Sequence, residues 1–189
     1  MAEEIKTRED AYKLLREHVK TDYMIKHSVA TEAIMKELAK KLKQNEAKWG
    51  MAGLLHDLDF EETEEDPKKH TLVTEDILSG IGMDSEIIYA IKAHNAEDIG
   101  IERKSVFDHA LTCAESVTGL IVATALVLPD KKLSSVTAEA VIKKMKKKDF
   151  ARKVSRERIK DCEGTGLKLE EFMAIAVEAM KGISADLGL

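Results

Sequence analysis

The run Gly53-Leu54-Leu55-His56-Asp57-Leu58-Asp59-Phe60 constrains this chain more than any other stretch. An apolar helix gains nothing from burying a histidine and an aspartate at its end unless something there uses them, because polar and charged groups are costly to desolvate. Imidazole and carboxylate together suit a transition metal, which is the simplest such user.

The scaffold around this run reads as all-α. Proline occurs twice and glycine ten times in 189 residues, no strand-like alternation is present, and apolar residues recur at helical spacing almost throughout. Thr7-Arg8-Glu9-Asp10 reads as a capping box for a helix carrying Ala11, Leu14, Leu15 and His18. After Thr21-Asp22, His27, Ala30, Ile34 and Leu38 share one face, so His27 points inward. The periodicity predicts a helix from about Glu46 to Leu58, an acidic loop over 61–67, and a helix with His70, Val73, Thr74 and Ile77 on one face. Ile87, Ile91 and His94 form another stripe, and Asp108, Leu111, Glu115, Thr118 and Val122 share a face of a long helix from about Ser105 to Leu128. One or two basic helices follow over 137–160, and a last helix runs from about Leu169 to Met180.

Length and composition support one domain across residues 1–189, with 44% hydrophobic and 34% charged residues. Cys113 and Cys162 lack zinc-knuckle spacing and are too few for a disulfide framework, which points to a reducing compartment. Met1 to Lys6 shows no secretory signal and the apolar stretch Gly119–Leu128 is too short to span a bilayer, so the expectation is a cytoplasmic protein with no membrane segment. The formal charge is −5, yet between Lys131 and Lys160 nine Lys and three Arg face Glu139, Asp149 and Glu157, a local +9 that leaves −14 elsewhere.

Four histidines, His27, His56, His70 and His94, sit near predicted helix ends in the company of Asp57 and Glu115. Helix ends can converge on a cavity. Such a donor set serves Fe, Mn, Zn, Co or Ni, and Asp57 can bridge two ions. Any one of these histidines alone reads as a hydrogen-bonded core residue.

The ordered set resembles the HD-domain superfamily of metal-dependent phosphohydrolases, whose signature is a His, an adjacent His-Asp pair and a later Asp on a helical bundle. Ala52-Gly53-Leu54-Leu55-His56-Asp57-Leu58-Asp59 is similar to the family's motif helix, and Ala90-Ile91-Lys92-Ala93-His94-Asn95 to its downstream histidine segment. The resemblance covers about residues 22–125, the metal-site core of a single-domain HD-type helical bundle, with basic C-terminal helices over about 131–189. It implies a first metal site of His27, His56, Asp57 and Glu115, and a second of His70 and His94 with Asp57 as bridge. Two departures stand out: Glu115 replaces the usual Asp, and Asn95 stands where some members carry a second His.

The implied reaction is hydrolysis of a phosphomonoester or phosphodiester, in a nucleotide or other small phosphorylated metabolite, by a water activated on one or two divalent ions. Asp57, Asp59 and Asp108 are the candidate catalytic acids, with Glu61 and Glu62 as further candidates for a shuttle or for orienting a ligand. Lys148, Arg152 and Arg156 in the basic block are candidates for holding a substrate phosphate. Polymeric nucleic acid is not expected as a partner, because the chain is acidic overall and only 4% aromatic. Two other readings remain: an HD-fold di-iron oxygenase, and a catalytically degenerate module that binds a nucleotide or a protein partner. The oligomeric state is not readable.

Overall fold

The computed structural model describes Ile5 and residues 7–189. The reading of Met1 to Lys6 as free of a signal falls outside the described residues except at Ile5. Among the described residues every regular element is helical. Thr7 opens α1 (Arg8–His18) with a reciprocal capping box, its hydroxyl accepting from Asp10 N and the Asp10 carboxylate from Thr7 N. In α2 (Asp22–Leu42) the stripe Ala30, Ile34, Leu38 is buried as expected. Thr21 does not cap it with its side chain. The Glu61 carboxylate does so from across the fold, accepting from Lys20 N at 3.0 Å and Thr21 N at 2.7 Å.

The third helix, α3 (Glu46–Leu55), lies so close to α2 that a β-carbon on Gly53 would sit 2.9 Å from the Glu32 backbone and the Thr31 carbonyl oxygen. Glycine is the residue that permits this approach. The helix stops at Leu55, short of the expected Leu58; residues 56–59 form a turn, and α4 (Phe60–Thr63) adds a single helical turn where composition suggested loop. Next come α5 (Leu72–Gly80), α6 (Ser85–His94) and α7 (Ala96–Ile99).

At the centre of the bundle is α8 (Val106–Leu126), packed by α2, α6 and the C-terminal elements. It is long and apolar enough to cross a membrane by length and composition, yet most of it is buried inside the fold, which makes it a core helix. Its Phe107 stacks on Trp49 of α3 with ring centroids 5.1 Å apart. The basic region divides into α9 (Ala138–Met145) and α10 (Arg156–Lys160), separated by the irregular segment 146–155. Val141, Met145 and Ile159 turn inward. A 3-10 turn (Asp161–Thr165), α11 (Leu169–Gly182) and α12 (Ser184–Leu187) complete the chain. Cys113 and Cys162 are buried free thiols.

Candidate metal centre

Four helix ends or turns meet at one carboxylate. His27 comes from the second turn of α2, His56 is the C-cap of α3, Asp57 follows it in the turn, and His94 is the last residue of α6. His70 lies in the turn before α5 and not on that helix, contrary to the sequence reading. The next residue, Thr71, holds a left-handed backbone (φ 76°), a strained conformation for a β-branched residue that aims His70 at the centre. Asp57 then faces two ways. Its Oδ2 is 3.4 Å from His27 Nε2 and 3.2 Å from His56 Nε2, while its Oδ1 is 3.3 Å from His70 Nε2 and 3.5 Å from His94 Nε2. Two triads result, His27/His56/Asp57 and Asp57/His70/His94, sharing one aspartate.

Every Nδ1 is turned away from the centre and engaged. His56 Nδ1 donates to Gly53 O at 2.9 Å and His94 Nδ1 to Ile91 O at 2.6 Å. His70 Nδ1 donates to Asp59 Oδ1 at 2.9 Å, and Asp59 Oδ2 also accepts from Thr74 N at 3.0 Å. Thr118 donates its hydroxyl proton to Glu115 O, so it accepts from His27 Nδ1 at 2.9 Å. These partners hold the Nδ1 protons and turn four Nε2 atoms inward, each offering its lone pair when its ring is neutral.

The Nε2 atoms lie 3.1 Å apart in both pairs, His27–His56 and His70–His94. Bare acceptors at that distance repel unless a proton or a cation lies between them. Donors bound to one ion at about 2.1 Å are themselves about 3.0–3.4 Å apart, so the spacing fits a divalent transition metal in each triad. Charge agrees with this. Burial alone would raise the Asp57 pKa, but the facing histidines hold it well below the usual carboxylate range. For His70, burial works against the charged form, yet the Asp57 and Asp59 carboxylates push its pKa up to about 10. His56 is also raised, Asp57 outweighing its burial, whereas burial lowers His94. The pocket is built to hold positive charge.

A family profile described as HD domain matches residues 24–141, more than half of the chain, and ends beyond the last residue of the metal centre. The chain belongs to the HD-domain family. Comparison with curated proteins and with solved structures found no significant match.

The HD core brings together five of the six expected ligands, His27, His56, Asp57, His70 and His94. Glu115 is in neither triad: the Ser116 hydroxyl bonds its carboxylate, although its charge still raises the His56 pKa. Asn95 is not turned to the centre either. Its amide donates to Pro67 O at 2.8 Å and His70 O at 3.1 Å, tying the His70 turn to the end of α6.

Asp59 is fully buried against His70 and orients it, so its place is behind a ligand and not on the surface. Asp108 is a structural cap. Its Oδ2 accepts from Lys104 N at 2.8 Å and Ser105 N at 3.0 Å in the capping box of α8, which removes it from the catalytic candidates. Glu61 is committed to capping α2, and Glu62 is exposed. His18 is exposed, and His109 binds Asp161 at 2.9 Å.

Arg156 is withdrawn from substrate binding by its own hydrogen bonds. It donates to the carbonyl oxygens of Met145, Lys147, Phe150, Ala151 and Val154, which uses its whole fork of donors. Lys148 and Arg152 are exposed on the segment it cages, Arg152 only 3.8 Å from an exposed Asp149. Of the residues that hold the histidines in place, Thr71 had no signal in the sequence pattern; Thr118 and Thr74 were placed on the faces of Glu115 and His70, and Asn95 was read only as the replacement of a second His, none of them as an orienting partner.

Proposed function

We propose that this HD protein is a metal-dependent phosphohydrolase acting on a nucleotide or other small phosphorylated metabolite. The observation that carries this reading is Asp57 set between two histidine pairs whose tautomers are all fixed to present Nε2. His27, His56 and Asp57 would hold one ion and Asp57, His70 and His94 a second, Fe, Mn, Zn, Co or Ni being suited to such donors. A divalent ion there supplies Lewis acidity, which polarises a phosphoryl oxygen and acidifies water near neutral pH.

The chain's own residues do the rest. Asp57 balances the charge at the centre, and Asp59 keeps His70 in its productive tautomer. The openings are at His27 and His70, whose side chains are 13% and 14% exposed, while His56 and His94 are closed off beneath them. Glu115, half-buried beside Thr118, would complete the first site on release from Ser116. A small substrate in a reducing, cytoplasmic setting suits the buried free thiols.

The test is metal analysis of the purified protein together with a panel of nucleotides and sugar phosphates. Copurifying or activating transition metal, hydrolysis of at least one phosphoester, and loss of both metal and activity in His56→Ala are expected. Stoichiometric metal without hydrolysis of any phosphoester overturns the reading. In that event Mössbauer and visible spectra of anaerobically purified protein decide between an iron-dependent oxygenase and a binding module.

A further inference from the structure

We infer that the C-terminal end of α8 and the lysines around it form a docking surface for an anionic lipid bilayer, a peripheral attachment independent of the reaction at the metal centre. Among the described residues the large hydrophobic side chains left exposed are Tyr23, Leu72, Val106, Leu126 and Val127, and only the last two are neighbours in the chain. They end the core helix, 48% and 55% exposed, whereas the following Leu128 turns back onto the core. Single exposed apolar residues are ordinary; this pair is informative through what surrounds it.

The surroundings are basic. A turn closed by Lys131 N donating to Leu128 O at 3.2 Å presents Lys131 and Lys132 just beyond the pair. Leu126 lies seven residues after Gly119, so it falls within about 20° of the same line on α8 and about 10 Å further along the axis. A β-carbon on Gly119 would lie 3.3 Å from Val154 Cγ2, so the segment 146–155 borders that stripe. It displays Lys146, Lys147, Lys148 and Lys153 to solvent. None of these six lysines has an ion-pair partner among the described residues, and Arg152 has only its 3.8 Å approach to Asp149. Elsewhere Lys36 pairs with Glu32, Lys48 with Asp84 and Glu86, and Lys92 with Glu75. Asp130, the acid between the apolar pair and Lys131, is engaged in its own turn by the Ser135 hydroxyl at 2.5 Å and Lys132 N at 3.3 Å.

The chemistry of the patch selects lipid as the occupant. Its arginines are used inside the protein, Arg156 on five carbonyl oxygens and Arg158 on Glu97 and Asp98. The free cations are therefore lysines, compact hydrated charges that act on a diffuse negative surface without a fixed geometry. Leu126 and Val127 project from a helix end, whereas a partner helix is received in a groove. Only 4% of the chain is aromatic, which leaves little for nucleic-acid bases to stack on. Lysines at the headgroups and two apolar side chains at the acyl boundary supply the two signals that together sustain peripheral attachment.

The experiment is cosedimentation of the full chain with vesicles of phosphatidylcholine alone or with about one-third phosphatidylglycerol, at low and high salt. Wild type is expected to bind the anionic vesicles only and to be released as salt rises. The triple variant Lys146→Glu, Lys147→Glu, Lys153→Glu is expected to partition at least about tenfold more weakly, and Leu126→Gln with Val127→Gln at least about threefold. All five side chains are exposed, and circular dichroism checks that both variants fold. Insertion is read separately on Val127→Cys carrying a polarity-sensitive dye, since both native thiols are buried; its emission is expected to shift to the blue on anionic vesicles. Absence of binding to anionic vesicles, equal binding to neutral ones, an unchanged partition in either variant, or unmoved dye emission overturns the inference. So does a charge variant that loses affinity for an acidic polypeptide or single-stranded RNA while keeping its vesicle affinity, since the patch would then serve another macromolecule.

Discussion

The side-chain amide of Asn95 donates to the backbone carbonyl oxygen of His70 at 3.1 Å, so the residue after one histidine of the second triad fixes the turn that carries the other. A second bond, to Pro67 O at 2.8 Å, uses its remaining donor. Asn95→Asp keeps the shape and removes both donors. We expect bound metal to fall from two equivalents to one, with the fold retained at a cost of about 1–3 kcal/mol. Elemental analysis of the dialysed variant checks this, and two retained ions would refute it.

Thr118 accepts from His27 Nδ1 and so sets which nitrogen faces the first triad. Thr118→Val leaves that N–H without a partner in nearly the same volume. Affinity for the first ion should drop about 10–100-fold, read by competition with a chromophoric chelator. An unchanged affinity would mean that the packing of α2 alone orients His27.

Gly53 stands where α2 and α3 nearly touch. In Gly53→Ala the new methyl meets backbone atoms at 2.9 Å, which cannot swing aside as a side chain can. We expect a loss of about 1–3 kcal/mol or more and a lower Tm, measured by thermal unfolding with and without added metal. Metal would recover part of the loss, because it binds the folded chain.

Glu97 receives Arg103 through both oxygens, at 2.8 and 3.0 Å, with Arg158 also at 3.0 Å. Burial alone would raise its pKa, but the Arg103 hydrogen bonds outweigh this and hold it at about 2, below its ordinary 4.5. A depressed folded pKa stabilises the protein above the unfolded value and is lost as pH falls through the folded one. The stability gap between wild type and Glu97→Gln should therefore be full above about pH 4.5 and close as pH falls towards about 2. Glu97 is half exposed, so the gap is modest and shrinks with salt.

The residues of the centre were legible because polar side chains stand at or near the ends of apolar helical stretches. Periodicity put His27 and His94 on apolar stripes, His56 and Asp57 stood out as polar residues at the end of an apolar helix, and the resemblance of the ordered set to the HD family joined them into one centre. His70 was placed on a helix because Val73, Thr74 and Ile77 continue its spacing; the left-handed Thr71 that breaks the helix before it has no composition signal in a β-branched residue. Ser105-Val106-Phe107-Asp108 repeats the pattern of Thr7-Arg8-Glu9-Asp10, so the capping role of Asp108 was readable and was overshadowed by its register with Glu115. Glu61 capping α2 and Arg156 caging 146–155 depend on contacts that local pattern does not encode, the first spanning 40 residues. The all-α class, by contrast, is written in every segment.

The four Nδ1 partners divide in a way that bears on how this centre can change over evolutionary time. His56 and His94 take their aim from carbonyls three residues back in their own helices, Gly53 O and Ile91 O, so their aim depends on no other side chain's hydrogen bond. His27 and His70 take theirs from Thr118 and Asp59, side chains that a single codon change can replace. Each triad thus pairs one ligand whose aim is inherited from the main chain with one that is open to retuning. Selection can adjust the two halves of the centre separately, by way of residues that never touch an ion, while the shared Asp57 keeps them a single unit.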